Sequence, residues 1–403
     1  MESNILRIFK KNKDYRNVMS STILGSIINW MMYICLLIIA GKITENGLQF
    51  GVLWFCSGLA PLFFSYLLGV FTDLLDIKKI LVFTELGRIS ILIGFFFLEF
   101  EVSWLNWAIF FVLSFTNGIL SSLNTVSRQT IIPRIISEDD LTIANSFNFA
   151  IMSSARLIGT AIGGVFFATI GFRNVLLISI IIYIISLAFI ASIQKVQPSK
   201  IPQKKSIIQN IISGKDLIKS YPLVKYVIFS AITGGLLVGS FSILIERFSN
   251  YIFNSGEQGV SFLFSTEGLV ALVISLVIAE RNLKFDKYYK YGYIYILIGL
   301  TWALFGFSTH LLIGMFVIGM YSFISSFVVP FERGIMQANV NQEDVGKTFG
   351  LWNTTSLISV QLGFLFTGFL IIYIELIYIP IIFGLLEVIF GIYLYLTLKR
   401  NNI

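Results

Sequence analysis

The chain has 403 residues and a formal net charge of +7, with 56% of its residues hydrophobic and only 13% charged. Soluble domains carry about 25% charged residues, so this composition, with a mean hydropathy of +0.84, excludes a water-soluble globule and indicates an all-α membrane protein. The positive charge requires no nucleic acid, since loops that face anionic lipid are basic for that reason alone.

A helix needs about 20 apolar residues to cross a hydrocarbon core of about 30 Å. Twelve runs of that order occur: Ser20–Gly41, Phe50–Thr72, Ile80–Leu98, Trp104–Leu123, Leu141–Ala168, Val175–Ile193, Leu223–Ile245, Val260–Ala279, Tyr291–Phe307, Leu311–Val329, Phe349–Ile372 and Leu376–Leu396. Lys and Arg gather on the cytoplasmic side of membrane proteins. Alternate connectors here are basic and leave only Lys42, Arg173 and Arg247 for the exterior, so both termini are expected in the cytoplasm. The stretch up to Pro222, with Pro198 and Pro202, reads as a linker. The expected organisation is a six-helix bundle over residues 1–194, a cytoplasmic linker over 195–222 and a second bundle over 223–403.

Met1–Arg16 is polar and basic, which predicts an amphipathic lead-in on the cytoplasmic face rather than a signal peptide. Helix 1 carries Asn29, Trp30 and Tyr33. A Trp in mid-span is away from the interface it prefers, so these three are candidates for lining a cavity, with plain helix packing as the competing reading. Cys35 and Cys56 fall inside predicted spans and read as apolar fillers, and no metal site is suggested.

Helix 2 ends in Gly69, Asp73, Asp76, Lys78 and Lys79. Gly69 and Asp73 lie one helical turn apart, the Gly allowing a close neighbour and the Asp offering a carboxylate to a helix N-terminus or a cation. This pattern resembles the signature loop between helices 2 and 3 of the major facilitator superfamily, and Asp76, where many members have Gly, resembles the macrolide-efflux-like branch. The resemblance implies a conformational latch formed by those five residues with the basic residues Arg88, Arg128 and Arg333. Glu85 and Arg88 in helix 3 are three apart and face the same way, which predicts an ion pair; Glu85 is also a proton-coupling candidate. Helix 4 enters through Trp104 and Trp107, an outer aromatic anchor, and carries Asn117, a further cavity candidate.

Residues Ser127 to Asn145 again resemble the macrolide-efflux-like branch: a basic residue, an apolar-Pro turn, an acidic pair, then Ala-Asn opening helix 5. Pro133 is expected to end helix 4, and the Asp139 and Asp140 carboxylates to cap helix 5. Helix 5 carries Asn148, Arg156, Gly159, Gly163 and Gly164. The glycines resemble the antiporter motif of drug exporters, with Thr160 in place of its Pro, so flexibility stays and the obligatory kink is lost. Small residues at this spacing also serve ordinary packing. Arg156 lies nine residues beyond Phe147, or about 14 Å into the core. A cation at that depth must face a polar cavity or a carboxylate.

The second half repeats the first. A shift of 205 positions takes Arg128 to Arg333, Glu138 to Glu343, Asp139 to Asp344, Asn148 to Asn353 and Gly163 to Gly368. Two like halves in tandem are a mark of transporters. Glu267 in helix 8 is the leading candidate for a carboxylate that takes up and releases a proton, and a structural hydrogen bond is its alternative. Trp352, Asn353 and Gln361 in helix 11 are cavity candidates, Gln361 standing at the repeat position of Arg156. Glu387 falls near the midplane of helix 12 and joins the proton-coupling set. His310 reads as a surface residue.

The resemblance implies twelve transmembrane helices in two pseudo-symmetric bundles. It further implies a monomeric, non-enzymatic secondary transporter in a bacterial cell membrane, exporting a small lipophilic substrate in exchange for protons. No cofactor is expected, the proton gradient supplying the energy, and no ATP-binding signature occurs. Uptake of a nutrient or lipid in the same fold, or a non-transporting membrane sensor, remain as alternatives.

Overall fold

The computed structural model describes residues 4–58, 76–99, 101–137, 140–194, 217–281 and 288–400, and every regular element among them is a helix. In chain order these are α1 (Asn4–Lys11), α2 (Lys13–Ile43), α3 (Ile77–Phe95), α4 (Trp104–Ile135), α5 (Leu141–Ile170), α6 (Phe172–Ala191) and α7 (Pro222–Arg247), which runs into a π-helical turn (Phe248–Ile252). There follow α8 (Gly256–Arg281), α9 (Lys290–Gly306), α10 (Leu311–Ser325), α11 (Val328–Asn339), α12 (Gln342–Tyr373) and α13 (Tyr378–Arg400). Residues 47–58 are also helical.

Eight of these segments are long and apolar enough to cross a membrane: α2, α4, α6, α7 with its π turn, α8, α10 with α11, α12 and α13. α3, α5 and α9 fall on three more of the twelve predicted spans, and the helix over residues 47–58 on the start of the second, whose residues from 59 on lie outside the described ones. Several helices run further than their apolar stretches. The fourth ends at Ile135 rather than Leu123, with Pro133 inside its last turn, where a missing N–H removes only one intrahelical bond. Pro133 therefore does not end the helix where expected. Asp140 does not cap α5 with its side chain; its Oδ2 accepts from the Ser137 hydroxyl at 3.2 Å instead. Asp139 lies outside the described residues.

The described residues form two compact units, one of Met1–Ile43 and Cys56–Lys204, the other of Thr44–Phe55 and Lys205–Ile403. Residues 44–55, part of the first half by sequence, thus belong to the second unit. There a Cβ on Gly51 would stand 2.6 Å from the Phe364 carbonyl of α12, and Trp54 stacks on Phe364 with ring centroids 5.7 Å apart. The first unit is built on α2, which packs along α5 and α6, with α3 against α4 and α6. Its α1 does not rest on a lipid surface by its apolar side: Ile8 is buried with Ile77, Ile131 and Ile190, and Phe9 meets Tyr15 and Phe147 edge-on at 5.6 and 5.5 Å. In the second unit α7 packs along α12, α9 along α13 and α8 along α10. Apolar lipid gives helices no hydrophobic reason to associate, so close backbone approach at small residues must supply the contact. Gly159 and Gly163 do this for α5, where a Cβ would fall 2.6 Å from the Ile27 carbonyl and 2.8 Å from that of Met31.

Candidate functional site

Among the described residues each unit holds a buried polar node that joins several helices, and the second unit also buries the neighbouring ion pair of Glu246 and Arg247, 3.4 Å apart. In the first, Arg128 of α4 has all five of its N–H groups engaged. Nε donates to Asn124 Oδ1 at 2.7 Å, Nη1 to Thr22 Oγ1 at 2.7 Å and to the Val18 carbonyl at 3.2 Å, and Nη2 to Ser21 Oγ and Glu85 Oε1, both at 2.7 Å. Asn124 also donates to Thr84 Oγ1 at 2.8 Å, and the Ser21 and Ser186 hydroxyls meet at 2.7 Å. Three helices, α2, α3 and α4, are joined through one guanidinium, and Ser21 carries the network on to Ser186 of α6. Glu85 is fully buried and Arg128 only 9% exposed, so the pair answers the cost of burying either charge alone.

This corrects two expectations. Glu85 pairs with Arg128, not Arg88, and Arg88 donates to the Tyr183 hydroxyl at 3.3 Å. Two of the three arginines grouped with the cytoplasmic latch, Arg88 and Arg128, are buried inside the bundle. Of the other latch residues, Gly69 and Asp73 lie outside the described residues. Asp76 caps α3 by accepting from the Lys78 N–H at 3.0 Å, and Lys78 Nζ donates to the Ile193 carbonyl at 2.6 Å. Lys79 and Arg333 are exposed.

On the α2 and α5 side of the same unit, the Arg156 guanidinium stands 5.3 Å over the Trp30 ring, and Trp30 meets Tyr33 edge-on at 5.6 Å. Arg156 is exposed midway along α5, while Gly159 and Gly164 near it are buried. Asn29, Asn117 and Asn148 are half-buried. The predicted residues Trp30, Tyr33 and Arg156 are therefore brought together.

The second node centres on Glu332 of α11, 3% exposed. Its Oε1 accepts from Ser230 Oγ of α7 at 2.6 Å, from the Tyr291 hydroxyl of α9, and from the Tyr295 hydroxyl of α9 at 3.1 Å. Its Oε2 accepts from Trp352 Nε1 of α12 at 2.9 Å. No Lys or Arg among the described residues forms an ion pair with it. Glu387 of α13 is 2% exposed, and among the described residues neither of its oxygens has a hydrogen bond of ordinary geometry. Phe390, about one turn further along α13, meets the Tyr295 ring edge-on at 5.2 Å.

The remaining candidates of this unit are dispersed. Glu267 is half-buried on α8, and its main-chain carbonyl accepts from Ser322 Oγ at 2.6 Å. Asn353 is exposed. Gln361 is 8% exposed, and among the described residues its Oε1 has no donor, whereas Arg156, at its repeat position, is exposed.

The sequence profile of the Major Facilitator Superfamily matches residues 18–355. The chain belongs to this superfamily. As a member of the superfamily it is a multi-pass membrane transporter, not an enzyme. Among its relatives are the staphyloferrin A transporter of Staphylococcus aureus, 23% identical over 82% of this chain and 83% of that protein, and BacE of Bacillus subtilis, a proposed bacilysin exporter, 23% identical over 87% of this chain and 86% of that protein. The fold matches that of the nucleoside transporter NupG, with a TM-score of 0.71 at 13% identity over 95% of this chain and 99% of that one. It also matches an auto-inhibited peptide transporter of the POT family, with a TM-score of 0.74 at 9% identity over 96% and 97%.

Within this superfamily member, Glu332 is the functional candidate that sequence reading missed. The apolar run of the tenth span stops at Val329, which put Glu332 and Arg333 at a water-facing helix end. The available signal was the repeat itself: Arg128 and Arg333 share the 205-residue offset, and α4 carries its polar residues well past the end of its apolar run.

Proposed function

We propose that this chain is a proton-driven exporter that moves small lipophilic or amphiphilic compounds, macrolide-like drugs among them, out of the cell by alternating access. The observation that carries this reading is the Arg156 guanidinium lying 5.3 Å over Trp30, exposed halfway along a helix that belongs to the membrane. A cation at such depth is tolerated where it faces water or a polar ligand. Beside it Trp30 and Tyr33 offer two aromatic faces, so one surface pairs apolar area with a single positive charge. That chemistry suits an amphiphile with a broad apolar body and an acceptor group. Similarity to BacE supports the outward direction, and the buried carboxylates of the second unit support coupling to protons. On this reading the halves, 1–194 and 223–403, alternate about the membrane as a monomer with both termini in the cytoplasm.

The test is the susceptibility of an efflux-deficient bacterial host expressing the chain, exposed to macrolides and to a cationic dye, with and without a protonophore. Expression raises tolerance, and the protonophore abolishes the gain. Arg156→Ala removes the charge offered to the acceptor group of the substrate, a contact worth about 1.5 kcal/mol, which is about a tenfold loss of apparent affinity. Accumulation inside the host on expression would reverse the direction.

A further inference from the structure

Beyond the reaction direction and the substrate lies the question of where the coupling proton sits. We propose that Glu332 and Glu387 form one proton-binding site in the second unit, and that its occupancy controls the hold of α11 on Trp352 of α12. The inference rests on the proton-coupled reading above and supplies its residues. It is carried by the asymmetry between two buried carboxyl groups on helices that both pack on α7 and α9.

Glu332 receives four donors: Ser230, Tyr291 and Tyr295 on one oxygen and Trp352 on the other. This is the solvation an anion needs when water is excluded. Glu387, 2% exposed, has no hydrogen bond of ordinary geometry on either oxygen, so an ion there would be uncompensated and the group carries its proton. Ser230 of α7 donates to Glu332 at 2.6 Å, and α7 also packs against α13, which carries Glu387. Tyr295 donates to Glu332 at 3.1 Å, and its ring meets Phe390, about one turn from Glu387 on α13, edge-on at 5.2 Å. The titratable groups facing the site are Tyr291 and Tyr295 from α9 and Glu387 from α13; Arg333, next to Glu332 on α11, is exposed. The pair thus holds one proton and one negative charge, with room for a second proton.

That second proton goes to Glu332. Hydroxyl donors tolerate this, because each can rotate and accept instead. The indole cannot: Trp352 Nε1 only donates, and its partner Oε2 becomes a hydroxyl or a weaker neutral acceptor when Glu332 is protonated. Loss of charge at Glu332 therefore loosens the 2.9 Å bond that ties α11 to α12, and the released helix is the one that repeats the Arg156 helix of the first unit. The bonds balance: on entry an O–H bond of a hydronium ion breaks, leaving water, as one forms on Glu332, and on release that O–H breaks as water takes the proton back.

The experiment is infrared difference spectroscopy on the purified full-length protein in lipid nanodiscs during a pH jump, with indole fluorescence recorded alongside. No substrate is needed, so a negative transport assay and a negative spectrum are separate results. At neutral pH the wild type shows a protonated-carboxyl band that shifts in deuterium oxide, and Glu387→Gln removes it. On acidification the wild type gains a second such band as a carboxylate band falls, together with a change in indole emission; Glu332→Gln abolishes all three changes, and its emission resembles the acid wild type at every pH. If Glu332→Gln does not yield monodisperse protein, Tyr295→Phe is used, which shifts the midpoint of the acid band while leaving the neutral one. A neutral-pH band that persists in Glu387→Gln, or an acid transition unchanged in Glu332→Gln or Tyr295→Phe, overturns the proposal.

Discussion

The two units are copies of one design that bury different chemistry. In the first, the carboxylate of Glu85 meets a guanidinium whose five donors are all engaged. In the second, the carboxylate of Glu332 meets only neutral donors. A buried ion pair is a fixture, since neither member can change charge without stranding the other. A carboxylate bound by hydroxyls and one indole can lose its charge and keep most of its contacts. Duplication has therefore left one unit a rigid post across four helices and the other a group able to titrate.

The sharpest way to break this comparison is to strand one charge. Arg128→Met leaves Glu85 buried without its cation and should cost about 3–5 kcal/mol, read as a large drop in the thermal midpoint of the purified protein. Adding Glu85→Gln should recover much of that loss, because the stranded charge is gone. Equal losses in the single and the double variant would mean that the pair is not what holds α2, α3, α4 and α6 together.

The matching change in the second unit should behave differently. Glu332→Gln keeps an oxygen for Ser230 and the tyrosines and strands no partner charge, so about 1 kcal/mol is expected. Its effect belongs on function: protonophore-sensitive drug tolerance in the host should fall to the level of the empty vector. A stability loss as large as that of Arg128→Met would make Glu332 a post like Glu85.

Much of this molecule could be read from its residues. The twelve spans followed from runs of about 20 apolar residues, and the repeat from an offset kept by Arg128, Asn148 and Gly163. The association of Arg156 with Trp30 was within reach because both are costly in mid-span. Hydropathy misled where a helix continues after its apolar face ends. It put Arg128 and Glu332 at water-facing ends, whereas α4 and α11 carry them into protein, where their partners replace the solvent. The choice of Arg128 over Arg88 as the partner of Glu85 could not be read either, because a spacing of three residues says which groups share a helix face and nothing about a cation arriving from the next helix. The placement of residues 44–55 with the second unit depends likewise on contacts between Gly51, Trp54 and α12 that are distant in sequence.

The glycines sharpen the comparison at the level of packing. A Cβ on Gly159 would lie 2.6 Å from a backbone carbonyl and 2.7 Å from the Trp30 Cβ, and a backbone cannot step aside as a side-chain tip can. Gly159→Val should cost about 1–3 kcal/mol or more and tilt Trp30 away from Arg156, lowering drug tolerance as well as the thermal midpoint. Gly350 on α12 has nothing within 4 Å of a Cβ, so Gly350→Ala should stabilise by about 0.5–1 kcal/mol through helix propensity alone.

The smallest effect is expected at a connector, where the duplicated acidic pair meets water. Lys347 and the Tyr221 hydroxyl, the latter donating at 3.0 Å, hold the Asp344 carboxyl below its ordinary range. A carboxyl lowered by folding adds stability that is present above its unfolded value and is lost as the pH falls through its folded one. Because the contact is exposed and screened by salt, Asp344→Asn should lower the thermal midpoint slightly at neutral pH and not at all once the medium is more acidic than the folded carboxyl value. A gap between variant and wild type that stayed the same in acid would assign the tie to the hydroxyl of Tyr221 rather than to charge, and Tyr221→Phe would then reproduce it at every pH.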